Sequence, residues 1–131
     1  MIAIDTSGSI EQDSLSLFFK ELFHIWRNGA EVMVVECDFT IRRKYLYKGQ
    51  VVQYALGKGG TNFNPPLQYA NEEYMPDALI YFTDGHAPPP KIKSRSPILW
   101  IVSPDGITLD SERWKRLPGR KVKMEYLNVH K

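Results

Sequence analysis

The chain has a single cysteine, no long apolar run and no strong excess of charge of either sign, and each shortage excludes something. With Cys37 alone, no disulfide can form within the chain and an oxidising compartment gains no support. The thiol is expected to behave as a small buried hydrophobe. No apolar run approaches the roughly 20 residues that span a bilayer, and the first residues lack the basic, apolar and cleavage regions of a secretion signal. The default expectation is therefore a cytoplasmic protein with no membrane partner. A formal charge of +2 is too small to imply a nucleic-acid partner. From Lys91 onward ten Lys or Arg stand against four Asp or Glu, and these scattered charges are expected to be solvated surface. His-Glu-x-x-His is absent, and with it the common zinc-protease motif. Gly57-Lys58-Gly59-Gly60-Thr61 has nucleotide-loop ingredients but not the Gly-x4-Gly-Lys-Ser/Thr order, so nucleotide hydrolysis is not expected. His24, His86 and His130 form no zinc spacing.

What is present suits one compact domain over residues 1–131, with 43% apolar and 24% charged residues. Because Met1 leads directly into Ile2-Ala3-Ile4-Asp5, the domain is read as a piece excised from a larger protein. Met1 to Ile4 reads as a strand, and Glu11 to Asn28 as a helix, with Leu15, Phe18, Phe19, Leu22, Phe23 and Trp26 at three-and-four spacing. Glu31 to Cys37 has the unbroken apolar run of a buried central strand. Ile41 to Leu56 is more polar and contains Lys48-Gly49-Gln50, which predicts an edge strand or ribbon with a turn. Pro65-Pro66 can open a helix from Leu67 to about Tyr74. Ala78 to Thr83 and Ile98 to Val102 are further buried strands, Asp110 to Leu117 a short helix, and Val122 to Leu127 a last strand. The alternation predicts an α/β fold of Rossmann-like type, a doubly wound, mostly parallel sheet with one antiparallel edge strand.

In such sheets ligands bind beyond the carboxyl ends of the strands, where the winding direction reverses. Three polar clusters stand at strand ends or before a helix: Asp5-Thr6-Ser7-Gly8-Ser9, Gly60-Thr61 and Thr83-Asp84-Gly85. Each has a plainer reading alone: Asp5 to Ser9 can cap a helix, Thr61 can be a turn residue, and Asp84-Gly85 is a common turn pair. Together, Asp5, Ser7, Ser9, Thr61 and Asp84 offer two carboxylates and three hydroxyls, a hard oxygen set suited to Mg2+, with Mn2+ or Ca2+ as alternatives. Two carboxylates only balance a divalent cation, which leaves it able to take one more anionic oxygen. Asp38, after a buried strand, is a candidate acceptor for a metal-bound water. Gly60 and His86 are candidate contacts around the site.

These residues resemble the von Willebrand A superfamily, whose metal-ion-dependent adhesion site joins an Asp-x-Ser-x-Ser loop to a distant threonine and a distant aspartate. The likeness spans nearly the whole chain. Val35-Glu36-Cys37-Asp38, the Gly-Gly-Thr loop and the Thr-Asp-Gly turn look most like A-like domains attached to bacterial metallopeptidases. The resemblance implies that Ser7, Ser9 and Thr61 offer hydroxyls to the metal, that Asp5 and Asp84 bind directly or through water, and that a protein partner's Asp or Glu completes the shell. It implies a binding module and no catalysis. The enzymatic alternative is a Mg2+-dependent phosphotransferase or phosphatase with Asp5 as nucleophile. Against it, Ser7 stands where a second carboxylate is usual. Oligomeric state is left open.

Overall fold

The computed structural model describes residues 1–7, 12–51 and 59–125. The elements run β1 (Ile2–Asp5), α1 (Gln12–Arg27), β2 (Val32–Cys37), β3 (Ile41–Tyr47), α2 (Asn64–Tyr69, continued as a π-helical turn over Ala70–Tyr74), β4 (Leu79–Thr83), β5 (Ile98–Val102), α3 (Glu112–Arg116) and β6 (Arg120–Lys123). The six strands form one sheet in the order β3-β2-β1-β4-β5-β6. All neighbours are parallel except β2 and β3, so the antiparallel pair lies at one edge. This is the doubly wound order. The chain builds outward from β1 to β3, returns, and builds the other way from β4. The reversal falls between β1 and β4, where a crevice is expected.

Side chains alternate across a strand, so each strand feeds two cores. Ile2, Ile4, Val32, Val34 and Phe82 face α1, whose Leu15, Phe18 and Leu22 are fully buried against them. Ala3, Val35, Cys37, Leu79, Tyr81, Trp100 and Val102 face the other way, towards Phe63, Leu67 and Ala70 of the α2 region and Leu117 after α3. The apolar stripe of α1 thus closes one face, while the shorter helices and an aromatic cluster close the second. In that cluster Tyr81 stacks on Trp100 at 4.8 Å, and Phe63 meets both rings edge-on at 5.3 and 4.9 Å.

Several boundaries differ from the pattern-based expectation. Helix α2 begins at Asn64, because Pro65 and Pro66 occupy the first turn instead of preceding it. The last strand is Arg120–Lys123, which starts before Val122: its register is set by pairing with Leu99–Val102, and its polar edge residues gave no apolar signal. Helix α3 is trimmed to Glu112–Arg116, with Ser111 accepting from the Trp114 amide at 3.2 Å and Leu117 already extended before Pro118. Two carboxy-terminal lysines are not idle surface charge. Lys121 Nζ donates to the Trp114 and Leu117 carbonyls at 2.7 and 3.1 Å, and Lys123 Nζ to Ile107 O at 2.8 Å. Val52 to Leu56, the second half of the expected ribbon, and Tyr126-Leu127 lie outside the described residues. Among the described residues, no helix is long and apolar enough to cross a membrane.

The α1 face depends on one stacked pair, Phe18 on Phe82, with ring centroids 4.4 Å apart. Phe18→Ala is expected to cost about 3–5 kcal/mol of unfolding free energy, from lost burial and the cavity left behind. A urea titration followed by circular dichroism measures it, and a loss under ~1 kcal/mol would contradict this packing.

Candidate functional site

Asp5 is the last residue of β1 and Thr83 the last of β4, the two strands that flank the reversal. The parity that directs Ala3 and Tyr81 towards α2 directs Asp5 and Thr83 the same way. Asp5 is fully buried, and its carboxylate collects donors from three parts of the chain. Oδ1 accepts from the Ser7 amide at 2.9 Å, and Oδ2 from Thr83 Oγ1 at 2.6 Å. Thr61 Oγ1, 56 residues away in sequence, lies 3.4 Å from Oδ1 and 3.3 Å from Oδ2.

Thr61 is held there by its downstream neighbours in the chain. Asn62 donates its amide to Asp38 O at 3.0 Å, and Phe63 is buried in the aromatic cluster. Asn62 Oδ1 accepts from the Asn64 amide at 3.0 Å, while Asn64 Oδ1 accepts from the Lys91 and Ile92 amides at 2.7 and 3.0 Å. The glycine loop is thus clamped at its downstream end on both sides.

Asp84 comes directly after β4 and is buried, with Oδ1 accepting from the His86 amide at 3.0 Å. Its position requires two glycines. Gly85 has φ +81°, and a Cβ on Gly106 would lie 2.4 Å from Asp84 O. Asp84 O in turn accepts from the Ile107 amide at 2.9 Å.

Burial pushes the Asp5 carboxyl above its ordinary value, and the negative charge of Asp84 pushes the same way, against the hydrogen bonds from Thr83 and Ser7. No cationic side chain forms an ion pair with Asp5 among the described residues. A buried carboxylate near a second one, ringed by hydroxyls and lacking a counter-charge, suits a hard cation in its donor chemistry. Among the described residues no three or more His, Cys, Asp and Glu side chains group so as to hold a metal ion, and the side-chain oxygens that meet around Asp5 are those of hydroxyls.

The fold brings Asp5, Ser7 and Thr61 together and places Asp84 within electrostatic reach of Asp5. Ser9 lies outside the described residues. Gly60 is exposed beside Thr61, and the His86 side chain is exposed. Asp38 is buried next to the Thr61 loop and paired with Arg42 Nε at 2.9 Å. Thr83 was missed as a contributor. Its signal was available: it ends a buried strand, and its parity puts its hydroxyl on the same face as Asp5. Behind the site, the Cys37 Sγ is 3.4 Å from both Ile4 O and the Tyr81 hydroxyl.

A family model described as a VWA-like domain, DUF2201, matches residues 1–116. The chain belongs to this VWA-like family. It is also 30% identical over 103 residues to a protein of Thermotoga maritima described only as uncharacterized. That match covers 76% of this chain but 25% of the relative, so the chain spans about a quarter of the length of the curated protein it matches. No solved structure matches significantly.

Two outcomes are expected. Thr83→Val removes a donor from a buried carboxylate oxygen and should cost about 1–3 kcal/mol in metal-free buffer, measured by chemical denaturation. An unchanged midpoint would contradict the hydrogen bond to Asp5. The Cys37 thiol, pushed up to about 12 by burial, should resist alkylation at pH 8 in the native state and react on unfolding. Rapid labelling of native protein would contradict its enclosure behind the site.

Proposed function

We propose that this VWA-like domain is a metal-dependent protein-interaction module in which Asp5, Ser7, Ser9, Thr61 and Asp84 hold one divalent cation, Mg2+ by preference, with Mn2+ or Ca2+ as substitutes. The observation that carries this reading is the convergence of Thr61 on both oxygens of Asp5 across 56 residues. The family assignment supports it independently. Ser7 and Thr61 supply neutral oxygens, and Asp5 and Asp84 supply the charge that offsets the ion. With only two negative charges around it, a divalent cation retains affinity for a further anionic oxygen, and an Asp or Glu of a protein partner provides one. The partner would approach over the exposed Gly60 and His86 at the carboxyl end of the sheet.

The residues also speak to the phosphotransferase alternative. Asp5 has no exposed surface, and both its oxygens are engaged by Ser7, Thr61 and Thr83, a poor presentation for a nucleophile. The chain would serve as one module of a larger protein, as its quarter share of the Thermotoga relative suggests.

Calorimetry with MgCl2 and MnCl2 tests the cation. Wild type should bind one ion, and Asp5→Ala should bind none at concentrations that saturate wild type. Acetate added to the Mn2+-loaded protein should displace a coordinated water and lower the water-proton relaxation enhancement. Turnover of p-nitrophenyl phosphate should stay at background. Turnover abolished by Asp5→Asn would replace the binding-module reading with the enzymatic one.

A further inference from the structure

Asp38 comes directly after β2, and its side chain has no exposed surface. Oδ1 is well used: it accepts from the Thr40 amide at 3.2 Å and from Arg42 Nε at 2.9 Å. Oδ2 is buried and has no hydrogen-bond partner among the described residues. A buried carboxylate oxygen without a donor is unfavourable and uncommon, and an unplaced water or ion is a usual explanation. Burial pushes this carboxyl up, but Arg42 and the Thr40 amide outweigh it and hold the group below the ordinary aspartate value, so it is ionised at neutral pH.

The direction of the orphan oxygen gives it meaning. A Cβ built on Gly59 would stand 3.8 Å from Oδ2, so this oxygen looks at the start of the loop that carries Thr61. The backbone of Asp38 already grips the other end of that loop, through the Asn62 amide at 3.0 Å. Between Gly59 and that grip lie Gly60 and Thr61, and Thr61 is the residue that reaches Asp5. A Cβ at 59 would make ordinary van der Waals contact with the carboxylate, so glycine there leaves the space of one small group beside Oδ2.

We propose that Asp38 is a positioning residue for the cation site: its Oδ2 accepts a hydrogen from a water bridging to the Gly59–Thr61 loop, which fixes the Thr61 hydroxyl for the ion. This rests on the cation reading above. Asp38 does not ligate the ion; it sets the loop that does. An asparagine at 38 can keep the acceptor at Oδ1 but presents an NH2 group to the loop, reversing the hydrogen bond that the water needs.

Mg2+ calorimetry on the whole chain decides this. Asp38→Asn should weaken Mg2+ binding about 10–100-fold, the usual scale for supports behind metal ligands. Its circular dichroism in EDTA should be unchanged. Arg42→Gln, which removes one of the two Oδ1 donors and leaves Oδ2 as it is, should stay within about threefold of wild type. In a Thr61→Ala background the Asp38→Asn effect should nearly vanish, because both changes act through one hydroxyl. Gly59→Ala puts a methyl group in contact with Oδ2, where the proposed water would bridge, with Asp38 intact and should reproduce the loss, which keeps the test open if Asp38→Asn does not fold. Wild-type affinity in folded Asp38→Asn or in Gly59→Ala would overturn the inference. So would an equal loss in Arg42→Gln, or a full additional loss on top of Thr61→Ala. Failure of wild type to bind Mg2+ would remove the cation reading itself, and this inference with it.

Discussion

A carboxylate buried in the middle of a sheet is the constraint on which the rest of this molecule turns. Asp5 ends β1, has β2 and β4 on either side, and has no exposed surface. Placing an anion there is unfavourable unless hydrogen bonds and positive charge compensate it. The fold supplies the hydrogen bonds from Ser7, Thr61 and Thr83. Burial and the neighbouring Asp84 still hold the carboxyl above its ordinary value, so the compensation is incomplete. A hard cation is the natural complement to that remaining imbalance.

The scaffold explains why the donors meet there. Reversal of winding between β1 and β4 puts two strand ends side by side with no crossover over them. Strand parity turns Asp5 and Thr83 to one face, and the aromatic cluster on that face anchors Phe63, two residues beyond Thr61. Core packing and site geometry are therefore one problem. The rings of Tyr81 and Trp100 that fill the core also fix where the Thr61 loop leaves the surface. The opposite face is closed by α1, which packs Leu15, Phe18 and Leu22 against Ile2, Ile4, Val32, Val34 and Phe82, while loops shape the site face.

Much of this was legible in residue order. The three-and-four stripe of α1, the unbroken apolar runs of β2, β4 and β5, and the polar β3 specify a mostly parallel sheet with one antiparallel edge, because each pattern reflects which faces are buried. Asp5, Thr61 and Asp84 were legible as a group because strand ends in a doubly wound sheet point at one crevice. Other features had no local signature. The start of β6 depends on register with β5, which no polar edge strand reveals by composition. The contribution of Thr83 needed the parity of β4 relative to β1. The carbonyl contacts of Lys121 and Lys123 arise from tertiary placement alone, since a lysine in sequence looks the same whether it is solvated or bound. The uneven use of the two Asp38 oxygens is likewise a matter of three-dimensional placement.

Anomalous diffraction from crystals grown with Mn2+ tests the proposed cation site most directly. One anomalous peak within bonding distance of the Ser7 and Thr61 hydroxyls, and beside Asp5 and Asp84 directly or through water, is the expected result. A Mn2+-saturated crystal with no peak there, or with its Mn2+ bound elsewhere while the Thr61 loop stands away from Asp5, would contradict it.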